Sequence, residues 1–191
     1  MGSIFGKDDG NKVVRFYQNA SSAWHDTRDS LSYVLTDYWF KCSSERIAAL
    51  VRQGGQNAFV YRFQHNVSFP KLFPQYGLPT ICEQRTCHAS ELPFVFHNAA
   101  NYSFATAETA MSADFVAYWT AFAKTGNVNP DAGSTPMKWP LFDSASRLNM
   151  RMAAASDANV QGVESTKTGQ SGALPTAGVC DFFDEQVGYN H

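Results

Sequence analysis

Hydrophobic and polar residues alternate along the chain with helical spacing in four stretches. Over residues 7–18 a polar start gives way to Val13, Val14, Phe16 and Tyr17, which predicts a short amphipathic helix. After a polar break at Asn19-Ala-Ser-Ser, Leu31, Val34, Leu35, Tyr38, Trp39 and Cys42 recur at steps of three and four. That spacing predicts a helix over 26–42 packed on one face. Helical character resumes from Ser44 to Arg52, with Ser43 or Ser44 as N-cap and Gly54-Gly55 as the stop. The run from Asn57 to His65 is short, aromatic and branched, and reads as a buried strand. Segment 66–87 carries three prolines and no period, so it reads as loop. The strongest helix spans 104–125, through Ala107, Met111, Phe115, Tyr118, Trp119 and Phe122. Gly126 ends it and Asn129-Pro130 prevents continuation. Residues 127–138 read as loop and 147–152 as a strand. From 153 to 178 the chain is rich in Ala, Ser, Thr and Gly and is expected to be mobile, while 179–191 forms a tail that Cys180-Asp-Phe-Phe-Asp anchors in a short helix. No internal repeat is present.

Composition narrows the class. With 44% hydrophobic and 17% charged residues, the chain is globular rather than disordered. Its 191 residues suit one domain or a piece of a larger one. A formal net charge of -2 gives no electrostatic reason for a nucleic-acid partner, and no apolar run is long enough for a membrane span. Aromatic residues reach 14%, so a sizeable core is expected between Phe16 and Phe142.

The four cysteines, Cys42, Cys82, Cys87 and Cys180, allow three pairings, and spacing does not choose among them. Asn19, Asn66 and Asn101 each begin a glycosylation sequon. Together these favour an oxidising compartment, secreted or lumenal. The N-terminus shows no signal-peptide pattern, and Gly6 stands where myristoylation needs Ser or Thr. An oxidising address without a visible leader is reconciled if Met1 is not the native start.

Four segments carry a family likeness in a fixed order. They are Thr36-Asp-Tyr-Trp-Phe-Lys-Cys42, Phe59-Val-Tyr-Arg-Phe-Gln-His65, Cys87-His-Ala-Ser-Glu-Leu-Pro-Phe-Val-Phe96 and Trp119-Thr-Ala-Phe-Ala-Lys-Thr-Gly-Asn-Val-Asn129, with Trp139-Pro-Leu-Phe142 behind them. This order resembles the C-terminal part of a type B carboxylesterase, the cholinesterase-like branch of the α/β-hydrolases, over residues 1–152. The resemblance implies an α/β fold consisting of the last sheet strands and their flanking helices, incomplete as a stand-alone domain. It implies serine esterase chemistry on a small-molecule ester, with no cofactor and no metal.

In that family the triad runs Ser, then Glu or Asp, then His along the chain. The block around His88 matches the histidine segment, so His88 is the implied general base and acid. Glu91 resembles a second, supporting carboxylate near the histidine. No Gly-x-Ser-x-Gly occurs in the chain, so nucleophile, triad acid and oxyanion hole are expected upstream, and the chain alone is expected to be inactive. Asp9, in Lys7-Asp-Asp-Gly10, is a chance likeness to the triad-acid segment. The resemblance also implies a Cys42–Cys180 disulfide, which leaves Cys82 and Cys87 to close a small loop ahead of His88.

Plainer readings stand beside these. His65 and His97 read as surface or strand-end residues, and Trp119 and Phe122 as helix core. Phe94 and Phe96 line a substrate pocket or pack under the sheet, with nothing in the sequence to separate the two. Asp37 and Arg28 read as stability charges. A zinc site from Cys82, Cys87 and His88 lacks a fourth ligand, and Cys87 and His88, as chain neighbours, make a poor nucleophile and base. The rival function class is a cholinesterase-like adhesion or scaffold protein without a working triad.

Overall fold

The computed structural model describes residues 2–19, 27–69, 85–129, 137–154, 162–165 and 178–188. They fall into two compact units. The first takes in 1–58, 142–148 and 165–191, and the second 59–141 and 149–164.

The first unit is helical. Helix α1 (Gly2–Phe5) leads into α2 (Lys7–Asn19), the amphipathic helix that Val13 and Tyr17 predict. Helix α3 (Thr27–Leu35) then runs without a break through a π-helical turn (Thr36–Lys41) into α4 (Cys42–Gln53). The expected N-cap at Ser43 or Ser44 is therefore absent. The Cys42 N–H bonds back to the Asp37 carbonyl, and the Ser43 hydroxyl donates to the Tyr38 carbonyl at 3.0 Å. The extra residue in this turn resets the buried face, which runs Val34, Asp37, Cys42, Glu45 and Ala48. Trp39 and Phe40 are left 52% and 47% exposed, contrary to the one-face packing that the spacing suggests for Trp39.

The resetting turn serves two buried contacts. Asp37 accepts a hydrogen bond from the Tyr17 hydroxyl at 2.7 Å, with the Lys41 ammonium 3.9 Å away. Cys42 is joined to Cys180, 138 residues later, with the Cα atoms 5.2 Å apart. Cys180 sits in a tail helix (Val179–Phe182) that continues as a second π-helical turn (Phe183–Val187). Aromatic rings pack the tail into this unit. Phe16 stacks on Phe182 at 4.2 Å, and Tyr38 meets Phe183 at 5.1 Å. Arg46 pairs with Asp184, Arg147 pairs with Asp181, and the Lys12 ammonium donates to the Gln186 carbonyl at 2.8 Å.

The second unit holds a three-stranded sheet in the order β1-β2-β3, with β1 Tyr61–Phe63, β2 Leu148–Met152 and β3 Gly162–Ser165. The strand read over 57–65 pairs only at Tyr61–Phe63 and is half-buried, because it lies at the sheet edge. β1 runs parallel to β2, with Tyr61 opposite Met150 and Phe63 opposite Met152. A parallel pair needs a long crossover, and helices fill it here as in α/β folds. These are α5 (Leu92–Val95), α6 (Ala99–Tyr102) and α7 (Thr106–Thr125). Helix α7 matches its sequence signal, and Gly126 caps it at φ 70° with its N–H on the Phe122 carbonyl. Phe94, Phe115, Tyr118, Trp139, Met150 and Met152 form the core. The Trp139 indole N–H donates to the Val60 carbonyl at 3.0 Å, and Asn129 brackets the Trp139 backbone from both sides. Trp119 packs against this core, whereas Phe122 is 45% exposed and only edges Phe59. β3 lies within the Ala/Ser/Thr/Gly-rich stretch; 155–161 and 166–177 lie outside the described residues.

Candidate functional site

His88 sits on the exposed turn that precedes α5. The turn is built locally. The Ser90 N–H and hydroxyl both donate to the Cys87 carbonyl, at 3.2 and 2.7 Å, and so fold the chain tightly around His88. Ala89, directly after the histidine, has φ 65°. A side chain in that left-handed region costs about 1–2 kcal/mol, and such strain gathers at functional sites. Ser90 and Pro93 are buried and anchor the far side. Glu91, the supporting carboxylate implied by the resemblance, is half-buried at the N-cap position of α5. Tyr61 of β1 is pushed up to about 12, first by its burial and then by the Glu91 charge nearby, so its phenol stays protonated.

Cys87 is disulfide-bonded, which removes the free thiolate that a zinc site or a cysteine nucleophile would require. Cys82 lies outside the described residues, as does most of the loop ahead of His88. Phe94 and Phe96 separate. Phe94 is fully buried in the core beside Phe63 and Phe104, and Phe96 is 75% exposed. His97, expected at the surface, is exposed at φ 50° and still makes a specific contact. Its Nδ1 lies 2.9 Å from the Ser112 hydroxyl, which itself donates to the Phe94 carbonyl at 2.8 Å. The hydroxyl has one proton to give, so Nδ1–H is the donor to Ser112.

A second polar group close to this turn escaped the sequence reading. His65 follows β1 at the strand end, as expected, but is buried rather than at the surface. Its Nε2 lies 2.8 Å from Glu108 Oε1, in the first turn of α7. Glu108 is itself buried. It also accepts from the Ser68 N–H at 2.7 Å, the Ser68 hydroxyl at 2.5 Å and the Ala105 N–H at 2.8 Å. Burial works to raise its pKa, but the hydrogen bonds from His65, Ser68 and Ala105 outweigh it and bring the carboxyl down to about 2. Glu108 is thus ionised and acceptor-only at neutral pH, and His65 Nε2 carries the proton between them. Two sequence signals bear on this: a Glu three residues after the residue that opens a helix, and an Asn-x-Ser triplet whose Ser68 hydroxyl reaches Glu108.

Asn66 and Asn101 are exposed, and nothing is described of the Asn19 side chain. Among the described residues, no helix is long and apolar enough to cross a membrane, and no group of three His, Cys, Asp or Glu is placed to hold a metal.

Comparison with known proteins gives consistent results. The carboxylesterase family model matches residues 7–169. Acetylcholinesterase 1 of Caenorhabditis elegans is 29% identical over 136 residues, covering 69% of this chain and 21% of that protein. The medium-chain fatty acyl-CoA hydrolase precursor of Anas platyrhynchos is 32% identical over 122 residues, covering 63% of this chain and 20% of its own. The chain thus spans about a fifth of the length of these curated relatives. Among solved structures, the Geobacillus stearothermophilus carboxylesterase EST55 superposes with a TM-score of 0.60 at 24% identity, over 81% of this chain and 29% of that one. That likeness carries the α/β-hydrolase fold.

Proposed function

Because the chain belongs to the carboxylesterase family, we propose that it is the histidine-bearing region of a serine carboxylester hydrolase and that His88 is the triad base. The observation that carries the reading is the His88 turn. It combines an exposed imidazole, a strained Ala89 directly after it and a disulfide at Cys87 directly before it. In the chain order Ser, acid, His, the histidine comes last. A region covering about a fifth of its relatives therefore suffices to carry it without the other two members.

In this reading His88 takes the proton of a serine hydroxyl as that oxygen attacks an ester carbonyl. It then returns the proton to the leaving alcohol. Backbone amides elsewhere in the whole protein hold the oxyanion. Glu91 supports the histidine turn without touching the reacting atoms. The residues of this chain supply no nucleophile elbow, so the chain by itself does not turn over esters. The Cys42–Cys180 disulfide supports folding in an oxidising compartment. Asn66 and Asn101, exposed as they are, are the positions proposed to carry glycans.

The test is to capture the native protein with an antibody to this chain and label it with a fluorophosphonate probe of serine hydrolases. A labelled band well above 21.1 kDa is the expected result. An unlabelled band would count against catalysis and turn the family membership into ancestry alone.

A further inference from the structure

The segment that delivers His88 leaves β1 at His65 and returns at Thr86, and both of its described flanks lead to one carboxylate. On the outgoing side, Ser68 gives Glu108 its backbone N–H and its hydroxyl. On the returning side, two residues before His88, the Thr86 hydroxyl donates to the His65 carbonyl at 3.3 Å. The ring of that same His65 rests on Glu108. One helical turn further along α7, Ser112 holds the Phe94 carbonyl and His97, which lie beyond the His88 turn. Glu108 and Ser112 are four residues apart, so one face of α7 fixes the chain before and after the histidine.

We propose that Glu108 is a positioning residue for the esterase reaction, setting the place of His88 through His65, Ser68 and Thr86 without touching substrate. The inference rests on the reading of His88 as triad base. Its chemistry is specific to a carboxylate. Oε1 and Oε2 each accept a backbone N–H, from Ser68 and Ala105 respectively. An amide in place of the carboxylate would turn one of those oxygens into a donor facing a donor. The isosteric Gln therefore keeps the shape and breaks the clasp. A displacement of the base by about an ångström lowers turnover by about 100-fold.

The experiment uses the native polypeptide that carries this chain. Glu108→Gln and Thr86→Val are compared with wild type by active-site titration with a fluorophosphonate and by steady-state hydrolysis of a p-nitrophenyl ester. The expected result for Glu108→Gln is a kcat per titrated site lower by about 10- to 100-fold, with KM unchanged. Thr86→Val falls in the same direction by less. A purely structural role would lower the number of titratable sites and leave the rate per site intact, and that outcome overturns the proposal. If Glu108→Gln yields no folded protein, the per-site rate of Thr86→Val decides in the same way. A wild type that takes no label overturns the triad reading and this inference together. A labelled wild type with an unchanged Glu108→Gln overturns this inference alone.

Discussion

Removing the Cys42–Cys180 crosslink tests how the first unit holds its tail. The bridge closes a separation of 138 residues. In the loop-entropy account it withholds about 5 kcal/mol of freedom from the unfolded chain. A domain is stable by only about 5–15 kcal/mol in all, so this one bond is a large share. Replacing both buried cysteines by Ala adds about 1 kcal/mol of lost packing at each site. What remains to hold the tail includes Val179, Phe182, Phe183 and Val187, with the Arg46–Asp184 and Arg147–Asp181 pairs and the Lys12 bond to the Gln186 carbonyl at its rim. Partly exposed ion pairs contribute about 0–1 kcal/mol each, so they do not make up the loss. The double variant Cys42→Ala/Cys180→Ala should lose about 5–7 kcal/mol in urea unfolding. In hydrogen exchange, amides 179–187 should open before α2 and α4 do. A loss below about 1 kcal/mol, with protection across 179–187 unchanged, would refute the reasoning and put the tail's stability in its aromatic packing.

Two further predictions concern the His88 neighbourhood. Glu108 has its carboxyl at about 2 against an ordinary 4.5, so its ionised clasp stabilises the fold above pH 4.5 and is lost as pH falls toward 2. The difference is worth about 3 kcal/mol once fully protonated. Hydrogen exchange at the Ser68 and Ala105 amides, corrected for intrinsic rate, should keep its protection from neutral pH down to about 3, and loss of protection at the ordinary carboxyl range would contradict it. Ala89→Gly should be neutral or stabilising by up to about 1 kcal/mol, because φ 65° costs glycine nothing; a melting temperature clearly below wild type would show that the turn is not strained.

The parts legible in the sequence are those whose signal is local. Helix α7 announces itself by a repeating apolar face, an acidic first turn and Gly126, and it folds as that pattern says. The turn at His88 is legible through its block of neighbours, Cys87 to Phe96. The π-helical turn at Thr36–Lys41 is not. Val34, Tyr38 and Cys42 step by fours, which an α-helix satisfies equally well. Only the bond from Cys42 N–H to the Asp37 carbonyl reveals the extra residue that buries Asp37 and turns Trp39 outward. The burial of His65 is hidden for a different reason. Its partner Glu108 is 43 residues away, and a buried histidine looks like any strand-end histidine until the acid that satisfies it is in view. Phe94 and Phe96 alternate in sequence, but Phe94 stands on a short helix and Phe96 just past its end, so strand logic does not sort them; burial of Phe94 against Phe104 does.

The most direct test of the central claim is the rate of ester hydrolysis by the native polypeptide carrying His88→Gln. Loss of the triad base should lower kcat by about 10⁴-fold or more, while the folded yield and the melting temperature stay at wild-type values because His88 lies exposed on its turn. Hydrolysis at the wild-type rate would contradict the account, since a serine esterase whose base is His88 cannot work without it.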